Sequence, residues 1–299
     1  MTRVAILGCG YVGCELARQL VDGGHHVVGV RRSDAGLAAV EDAGAEPVQA
    51  DVTDAESLSA VPDAEWVVFA ASAGGRDAEA ARETYVSGLR TAIDHFADRA
   101  DAPDRFVYTS STGVYGDHDG EWVDEGTPID PGDERTEVLA TAERLARERP
   151  PSGIDGTVAR FGGLYGPDRY RLDRYLDGPV TAGVLNMVHR DDAAGAVRFL
   201  LERDHGRGEV VNVVDDEPVE KWGFADWLAE QADVAFPPKQ PVEQRLADVD
   251  RAATRRRIRS SKRVSNDRLR EDGYEFAYPT FRAGYQDALE WYRSGETDR

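Results

Sequence analysis

Thr2-Arg-Val-Ala-Ile-Leu-Gly8-Cys-Gly10-Tyr-Val-Gly13 opens with a short apolar run and ends in three glycines spaced as Gly-x-Gly-x-x-Gly. The run 4–7 predicts a buried strand, and the apolar positions from Leu16 to Leu20 recur at the helical period. A second apolar run, 26–30, closes a unit of about 30 residues, the context in which this glycine spacing becomes informative. The stretch therefore predicts a βαβ unit that binds a dinucleotide.

Each glycine of this turn has its own physical role. Gly8 permits the tight turn, Gly10 lets the backbone approach a pyrophosphate, and Gly13 lets the helix pack closely on the strand. Tyr11 and Val12 stand at the start of the helix, whose N-terminus faces the negative charge. We expect these five residues to bind the cofactor. The other interpretation is a glycine-rich turn without a ligand.

Two arginines follow the second strand, at the place that distinguishes NADP from NAD. An Asp or Glu there bonds the ribose 2′-hydroxyl of NAD, whereas an arginine accommodates the 2′-phosphate of NADP. Arg31 and Arg32 occupy it, and Asp34 comes only after them. The sequence therefore favours NADP as the cofactor. NAD stays open, because an arginine there can also stack on adenine or be solvated.

Two further predicted strands end where cofactor contacts are expected, since the carboxyl ends of strands line the cofactor crevice in doubly wound folds. A short strand ends in Asp51 and Val52, which we expect to flank the adenine. The alternative for Asp51 is to cap the helix that follows. The next apolar run ends in small residues, as a buried parallel strand does where it approaches a ligand. We expect three of them beside the cofactor phosphates and ribose: Ala70, Ala71 and Ser72.

The first half of the chain continues this alternation of strand and helix. A helix is predicted over about 78–100, with an apolar stripe formed by Tyr85, Leu89, Ile93 and Phe96. Another buried strand is predicted over 105–111. The pattern predicts a doubly wound α/β fold, a Rossmann-type parallel sheet covered on both faces. We expect a dinucleotide-binding domain over 1–165, with core elements continuing through about 183–214, and a small C-terminal substrate lobe over 215–299.

Composition argues against several classes of protein. The 299 residues carry a formal charge of −20 with three lysines, so neither nucleic acid nor an anionic membrane is expected as a partner. The acidity resembles that of halophilic proteins, and the alternative is simply an acidic protein. No stretch approaches the about 20 apolar residues of a membrane span. Cys9 and Cys14 are too few for a metal site and are expected to be buried thiols, so we predict a cytoplasmic protein without a metal.

The segment Ser110-Ser111-Thr-Gly-Val-Tyr115-Gly116-Asp117 resembles the strand-end signature of the extended short-chain dehydrogenases/reductases, the NAD-dependent epimerase/dehydratase family. Three later segments agree with that family in order and spacing: Val158-Ala-Arg-Phe-Gly-Gly-Leu-Tyr-Gly-Pro167, Asn186-Met-Val-His-Arg-Asp-Asp-Ala193 and Val211-Asn-Val-Val-Asp-Asp-Glu-Pro218. The resemblance covers essentially the whole chain. It implies a dinucleotide-dependent enzyme in which Ser111 is the catalytic Ser/Thr.

One motif of that family is missing. The resemblance implies a catalytic Tyr four residues before a Lys, followed by an Ala-Glu pair on the helix after the serine strand. The pair here is Ala142-Glu143, so Arg135 stands at the Tyr position and Leu139 at the Lys position. Arginine does not deprotonate in proteins, and leucine supplies no charge. The chain therefore resembles an atypical branch that keeps the cofactor site and lacks the Tyr-Lys pair.

Two residues are candidates to replace the missing acid-base group. Tyr115 follows the serine strand, and His189 precedes Arg190-Asp191-Asp192, where a carboxylate would orient it. The alternative for Tyr115 is a wall residue. For His189 the alternative is a structural hydrogen bond that anchors the following helix. The candidate catalytic residues are therefore Ser111, Tyr115 and His189.

An arginine-rich stretch, 251–263, concentrates the positive charge. It either receives an anionic small-molecule substrate, such as a phosphate or a nucleotide sugar, or pairs with acidic groups of its own chain or of a partner. The sequence is compatible with a homodimer.

Two functions fit the sequence. One is a nicotinamide-dependent oxidoreductase or epimerase, acting on a small hydroxyl or carbonyl substrate with a non-standard acid. The other is a dinucleotide-binding sensor or partner-binding module without turnover. We favour the first, because the cofactor loops and a substrate lobe are both present in the sequence.

Overall fold

The computed structural model describes residues 1–74, 78–147 and 156–295, without the side chains of 252 and 253. The chain divides into two compact units. The first comprises Met1–Val114, Pro131–Arg160 and Ala193–Val211. The second comprises Tyr115–Asp130, Phe161–Asp192 and Asn212–Arg299. Within the described ranges, no helix has the length and apolar character that crossing a membrane requires.

The strands of the described residues, in chain order, are β1 (Arg3–Leu7), β2 (His26–Arg31), β3 (Glu46–Gln49), β4 (Trp66–Phe69), β5 (Arg105–Ser111), β6 (Trp122–Val123), β7 (Gly156–Phe161), β8 (Gly163–Tyr165), β9 (Val180–Thr181), β10 (Val184–Leu185), β11 (Met187–His189), β12 (Val210–Val213), β13 (Val219–Glu220), β14 (Lys239–Gln240) and β15 (Arg263–Val264).

The α-helices of the same residues are α1 (Tyr11–Asp22), α2 (Asp34–Asp42), α3 (Ala78–Arg82), α4 (Leu89–Ala97), α5 (Glu134–Arg147), α6 (Leu172–Leu176), α7 (Arg190–Glu202), α8 (Lys221–Ala232), α9 (Val242–Ala247), α10 (Ala252–Arg259), α11 (Asp267–Glu271), α12 (Phe281–Gly284) and α13 (Gln286–Ser294). Two 3₁₀ turns cover Ser57–Ala60 and Thr112–Tyr115, and a π-helical turn covers Glu83–Gly88.

A seven-stranded sheet in the order β3-β2-β1-β4-β5-β7-β12 forms the core of the first unit. The pairings from β3 to β5 are parallel, with Ile6 opposite Gly29 on one side and Val68 on the other. Val4 to Leu7 are fully buried, as expected for a strand covered on both faces. The strand order reverses between β1 and β4, the switch point where doubly wound folds bind ligands. The predicted Rossmann-type fold is confirmed.

The segment after β4 is helical but not one regular α-helix. Its predicted apolar stripe is buried, with Tyr85 at 8% exposure and Leu89, Ile93 and Phe96 at 5% or less. The π-helical turn separates α3 from α4, and α4 ends at Ala97 rather than near residue 100. A π-turn rotates the residues that follow it relative to those before it, which residue periodicity does not reveal.

A buried ion pair ties α5 to the sheet of the first unit. Arg160 of β7 donates from Nε and Nη2 to the two carboxylate oxygens of Glu143, at 2.9 and 2.6 Å. Ser110 of β5 donates to the same carboxylate at 2.6 Å. Both charged side chains are at most 5% exposed. Glu143 therefore fixes the position of α5 against two strands.

The second unit contains short strand pairs and helices that surround an aromatic core. The pairs are β10 with β13, β11 with β8, β14 with β9, and β15 with β6. The sequence placed 115–130 with the first domain, but these residues belong to the second unit, where Trp122 lies opposite Arg263. Phe224 and Phe281 are fully buried at the centre of the core. This unit thus includes segments from three parts of the chain.

Candidate dinucleotide site and catalytic residues

Gly8 makes the turn after β1 in a conformation that favours glycine. Its φ is +83°, and a Cβ built there would overlap the Cα of Ala71 at the end of β4. The amide of Gly10 then donates to the Gly8 carbonyl at 2.7 Å and closes the turn. The turn is therefore tight, and it lies directly against the end of the neighbouring strand.

The first turn of α1 is open to an anion. Gly10 is the N-cap residue, no side chain caps the helix, and no acidic residue stands in the first turn that begins with Tyr11. Val12 and Gly13 are buried, and a Cβ at Gly13 would lie 3.2 Å from Ile6 Cγ2, which fits the predicted close packing on β1. The N–H groups at a helix start have no intrahelical acceptor and form the positive end of the helix dipole. These residues fit a dinucleotide pyrophosphate.

The two arginines after β2 have different surroundings. Arg31 lies over the glycine turn: a Cβ on Gly10 would meet its Nη1 at 2.7 Å, and a Cβ on Gly36 would meet its Nε at 2.5 Å. Arg32 is 65% exposed and pairs with Asp51 Oδ2 at 3.3 Å. Arg31 is thus the arginine that the structure brings to the glycine turn, and its approach to Gly10 involves only the flexible end of the side chain.

Asp51 already has partners within the first unit. Its Oδ1 accepts hydrogen bonds from the Thr53 amide at 3.0 Å and the Thr53 hydroxyl at 2.8 Å. Burial raises the pKa of Asp51, but the bonds from Thr53 and Arg32 outweigh it, so the net pKa is lowered. The carboxylate is therefore held charged at the end of β3. Val52 is 8% exposed and packs against Gly88 of the π-turn.

The end of β4 forms the next wall of the candidate site. The Ala70 amide donates to the Leu7 carbonyl at 2.8 Å, and Ala71 lies against Gly8. Ser72 is exposed, and the amide of Ala73 donates to the Tyr85 hydroxyl at 3.2 Å. The glycine turn and the end of β4 are therefore in direct contact.

Ser111 ends β5 and is partly exposed. Its hydroxyl oxygen accepts a hydrogen bond from the Gly113 amide at 3.1 Å, so its proton stays available to another acceptor. On α5, Leu139 packs against the apolar core, whereas the Arg135 guanidinium contacts the Tyr85 hydroxyl at 3.4 Å. Ser111 thus lies at the same edge of the sheet as the glycine turn, two strands away.

Tyr115 is fully buried in the second unit. Its hydroxyl donates to Asn212 Oδ1 at 2.9 Å, and the Asn212 side chain in turn donates to the Ser265 carbonyl at 3.2 Å. The Tyr115 proton is therefore committed to a structural hydrogen bond. This is the contact of a wall residue, the alternative that the sequence left open.

His189 is also buried, at 2% exposure. Its Nδ1 accepts a hydrogen bond from the Asp191 amide at 3.2 Å, at the start of α7. The ring lies 3.9 Å from that of Tyr278 and 5.3 Å from that of Tyr165, measured between centroids. Burial raises the pKa of Tyr165 well above its usual range, which favours the protonated hydroxyl. The hydrogen bond of His189 is of the structural kind that anchors the following helix.

The segment that begins with the glycine turn matches a known protein family. The family model described as NAD(P)H-binding matches residues 8–204. The chain belongs to the NAD(P)H-binding family. Protein YeeZ of Escherichia coli K12 is 31% identical over 221 residues, which cover 71% of this chain and 77% of that protein.

Solved structures agree with this membership of the NAD(P)H-binding family. A putative NAD-dependent epimerase/dehydratase from Methylobacillus flagellatus is 30% identical, with a TM-score of 0.78 over 98% of this chain and 99% of that one. Human epimerase family protein SDR39U1, solved with NADPH, is 20% identical, with a TM-score of 0.77 over 96% of this chain and 99% of that one. At that identity the likeness shows the fold alone. The predicted cofactor class, NADP or NAD, is confirmed.

The arginine-rich stretch of this NAD(P)H-binding protein is largely bonded to its own unit. Arg256 donates to the Asp130 carbonyl and carboxylate at 2.7 and 2.9 Å, and Arg263 pairs with Glu220 at 2.9 Å. Arg255 donates to backbone carbonyls that include that of Val249. These contacts fit the interpretation in which the stretch pairs with acidic groups of its own chain.

Sequence reasoning assigned Tyr85 to an apolar stripe and gave it no other role. The structure brings its hydroxyl to the end of β4 and to Arg135, in the part of the first unit that holds the glycine turn. The signal in the sequence is slight: Tyr85 is the member of that stripe with a polar atom. Neither the π-turn nor the contact with a residue 50 positions away is visible from spacing.

Proposed function

We propose that the protein is an NADP-preferring oxidoreductase or epimerase that acts on a small hydroxyl or carbonyl substrate. The observation that carries the proposal is the position of Arg31, whose guanidinium lies over the glycine turn while the partly exposed Ser111 ends a strand of the same sheet. A cation at the turn suits a 2′-phosphate, and a hydroxyl at the strand end suits a carbonyl oxygen. Arg31 thus supports binding of the cofactor, and Ser111 supports chemistry on the substrate.

The bound dinucleotide would supply a hydride donor or acceptor. The chain would hold the pyrophosphate with the turn from Gly8 to Gly13 and the start of α1, and the 2′-phosphate with Arg31. Ser111 would donate a hydrogen bond to a substrate carbonyl and polarise it. Nucleotide sugars belong in the substrate panel, because the family resemblance includes enzymes that act on them.

The cofactor preference is tested by titrating NADPH and NADH into wild type and into Arg31→Ala and Arg32→Ala, followed by nicotinamide fluorescence. A charge-assisted hydrogen bond contributes about 1.5–3 kcal/mol, so Arg31→Ala should lose about 10- to 100-fold in NADPH affinity and little in NADH affinity. Arg32→Ala should lose less, since Arg32 is exposed and already paired with Asp51. Equal affinities of wild type for the two cofactors would contradict the NADP preference.

The control for these variants is Arg207→Ala. Arg207 also pairs with a carboxylate, that of Asp204, and it donates to the carbonyl of Asp104, just before the start of β5. The start of β5 is its amino end, away from the edge where the glycine turn lies. The control should leave both affinities unchanged.

Turnover is tested by NADPH oxidation and NADP reduction over aldehydes, ketones, alcohols and nucleotide sugars. Low and molar salt are both needed because of the net charge of −20. Hydride transfer that falls in Ser111→Ala, with unchanged NADPH affinity, supports the proposal. Normal NADPH binding without hydride transfer to any panel member would favour the binding module instead.

A further inference from the structure

Tyr85 lies in the π-helical turn Glu83–Gly88, between α3 and α4. π-helical turns are rare in proteins overall, and those that occur are often found at functional sites. The tyrosine belongs to the main apolar cluster of the first unit and is 8% exposed. Its hydroxyl nevertheless reaches two polar groups at the border of that cluster, so this side chain combines a buried ring with a polar end.

The hydrogen bonds of the Tyr85 hydroxyl leave its proton unused. The amide of Ala73 donates to the oxygen at 3.2 Å, and Nη2 of Arg135 donates to it at 3.4 Å. Both partners are donors, and a phenolic oxygen accepts through its lone pairs while keeping one O–H to donate. No acceptor for that O–H is found among the residues that the structure describes, so these two hydrogen bonds leave the donor capacity of the hydroxyl unused.

The Arg135 guanidinium also lies against the Tyr85 ring, with Cζ 5.7 Å from the centroid. A permanent cation beside a phenolic oxygen stabilises the negative charge that arises when the proton leaves. The Ala73 N–H donates to the same oxygen. The two donors thus hold the Tyr85 oxygen between the guanidinium and the backbone that follows β4.

Tyr85 is also close to the candidate cofactor site. Ala73, which bonds its hydroxyl, is two residues from Ala71, and Ala71 lies against Gly8 of the glycine turn. Val52, at the end of β3, packs against Gly88 of the same π-turn. The polar end of Tyr85 thus borders the strand ends at which the dinucleotide is expected.

We propose that Tyr85 is a catalytic residue that donates the proton in carbonyl reduction, and that Arg135 is its positioning residue. The inference rests on the proposed function. In the reductive direction the Oη–H bond of Tyr85 breaks and an O–H bond forms on the substrate oxygen, while the carbonyl carbon receives the hydride that NADPH supplies. The electron pair left on Tyr85 makes a phenolate, which solvent reprotonates.

The kinetic test compares the substitution of Tyr by Phe at two positions of the same apolar cluster. Tyr85→Phe should lower the rate of hydride transfer by about 10²- to 10⁴-fold, the usual contribution of general acid catalysis, and leave NADPH affinity unchanged. Tyr108→Phe is the control, because Tyr108 is buried in that cluster and its hydroxyl has no hydrogen-bond partner among the described residues. Arg135→Leu should lower the rate and Arg135→Lys should restore part of it, with the pH profile of the rate altered in both.

A second readout does not depend on turnover. In full-length protein carrying tyrosine labelled with ¹³C at Cζ, the Tyr85 signal is identified by its loss in Tyr85→Phe. It should shift on saturation with NADPH and in Arg135→Leu, whereas the Tyr108 signal should not respond to NADPH. If Tyr85→Phe does not fold, the Tyr85 signal is identified instead by its shift in Arg135→Leu, since Arg135 contacts the hydroxyl. A Tyr85 signal that ignores NADPH overturns the inference.

Different results would overturn the proposed function and the role of Tyr85. Wild-type turnover that persists at full rate in Tyr85→Phe overturns the role of Tyr85 and leaves the proposed function standing. Absence of turnover in wild type over the whole panel overturns both. A shift of the Tyr85 signal together with a selective loss of rate in Tyr85→Phe supports the inference.

Discussion

Replacing Glu143 by alanine should destabilise the first unit more than any surface change. The substitution leaves the Arg160 guanidinium without its carboxylate at a site where both side chains are at most 5% exposed. It also leaves the Ser110 hydroxyl without the acceptor that it reaches at 2.6 Å. Breaking a buried ion pair by removing one partner costs about 3–5 kcal/mol, because the remaining charge stays out of water.

The measurement is the free energy of unfolding in urea, followed by circular dichroism and by NADPH binding as a probe of the first unit. Glu202→Ala serves as the control: Glu202 Oε1 pairs with Arg198 and lies 3.3 Å from His25 Nε2, and the Glu202 and Arg198 side chains are 29% and 33% exposed. A pair of that kind contributes about 0–1 kcal/mol. Glu143→Ala should therefore shift the transition several times further than the control.

A double variant separates lost charge from lost packing. Glu143→Met combined with Arg160→Met removes both charges while keeping side chains of considerable volume, and an apolar pair often replaces a buried ion pair at little cost. The double variant should recover most of the loss seen in Glu143→Ala. A Glu143→Ala loss no larger than that of Glu202→Ala would refute the reasoning.

Three further outcomes follow from the structure. Gly8→Ala should destabilise the fold and abolish NADPH binding, as seen by unfolding and titration, because the residue has positive φ and its Cβ would overlap Ala71. Gly10→Ala should fold, since its Cβ meets only the movable end of Arg31, but calorimetry should show weaker NADPH binding. Burial lowers the pKa of Lys262 to about 8 from its usual 10.5. The unfolded chain thus binds more protons between these pH values, so the free energy of unfolding should rise with pH there by about 3 kcal/mol, a rise absent in Lys262→Met.

The sequence predicts the first unit well because its signals are local. A continuous apolar run such as 4–7 can be buried on both faces only within a covered sheet. The glycine spacing from Gly8 to Gly13 restricts the turn, and Arg31 follows β2 directly in the chain. Each of these features depends on neighbours within about 30 residues, so the pattern alone is enough to place them.

The sequence predicts the second unit less well because its partners are distant in the chain. Tyr115 bonds Asn212, 97 positions later, and residue spacing carries no trace of that contact. The polar stretch from Pro237 to Asp250 reads as a loop or a poorly ordered segment, yet the structure has β14 and α9 there. That helix is anchored by the buried Leu246, whose carbonyl accepts from Arg255, so tertiary contacts override a weak local signal.

The ion pair of Glu143 explains how α5 can carry an arginine at position 135 without loss of the fold. The position of the helix is set by Glu143 and its bonds to β5 and β7, two turns further along α5. Residue 135 lies near the other end of the helix, where its side chain meets Tyr85. The chemistry of position 135 is therefore separable from the stability of α5. It follows that Arg135→Leu should leave the free energy of unfolding close to that of wild type while removing the cation from the Tyr85 hydroxyl. Glu143→Ala should lower the free energy of unfolding while leaving that cation in the sequence.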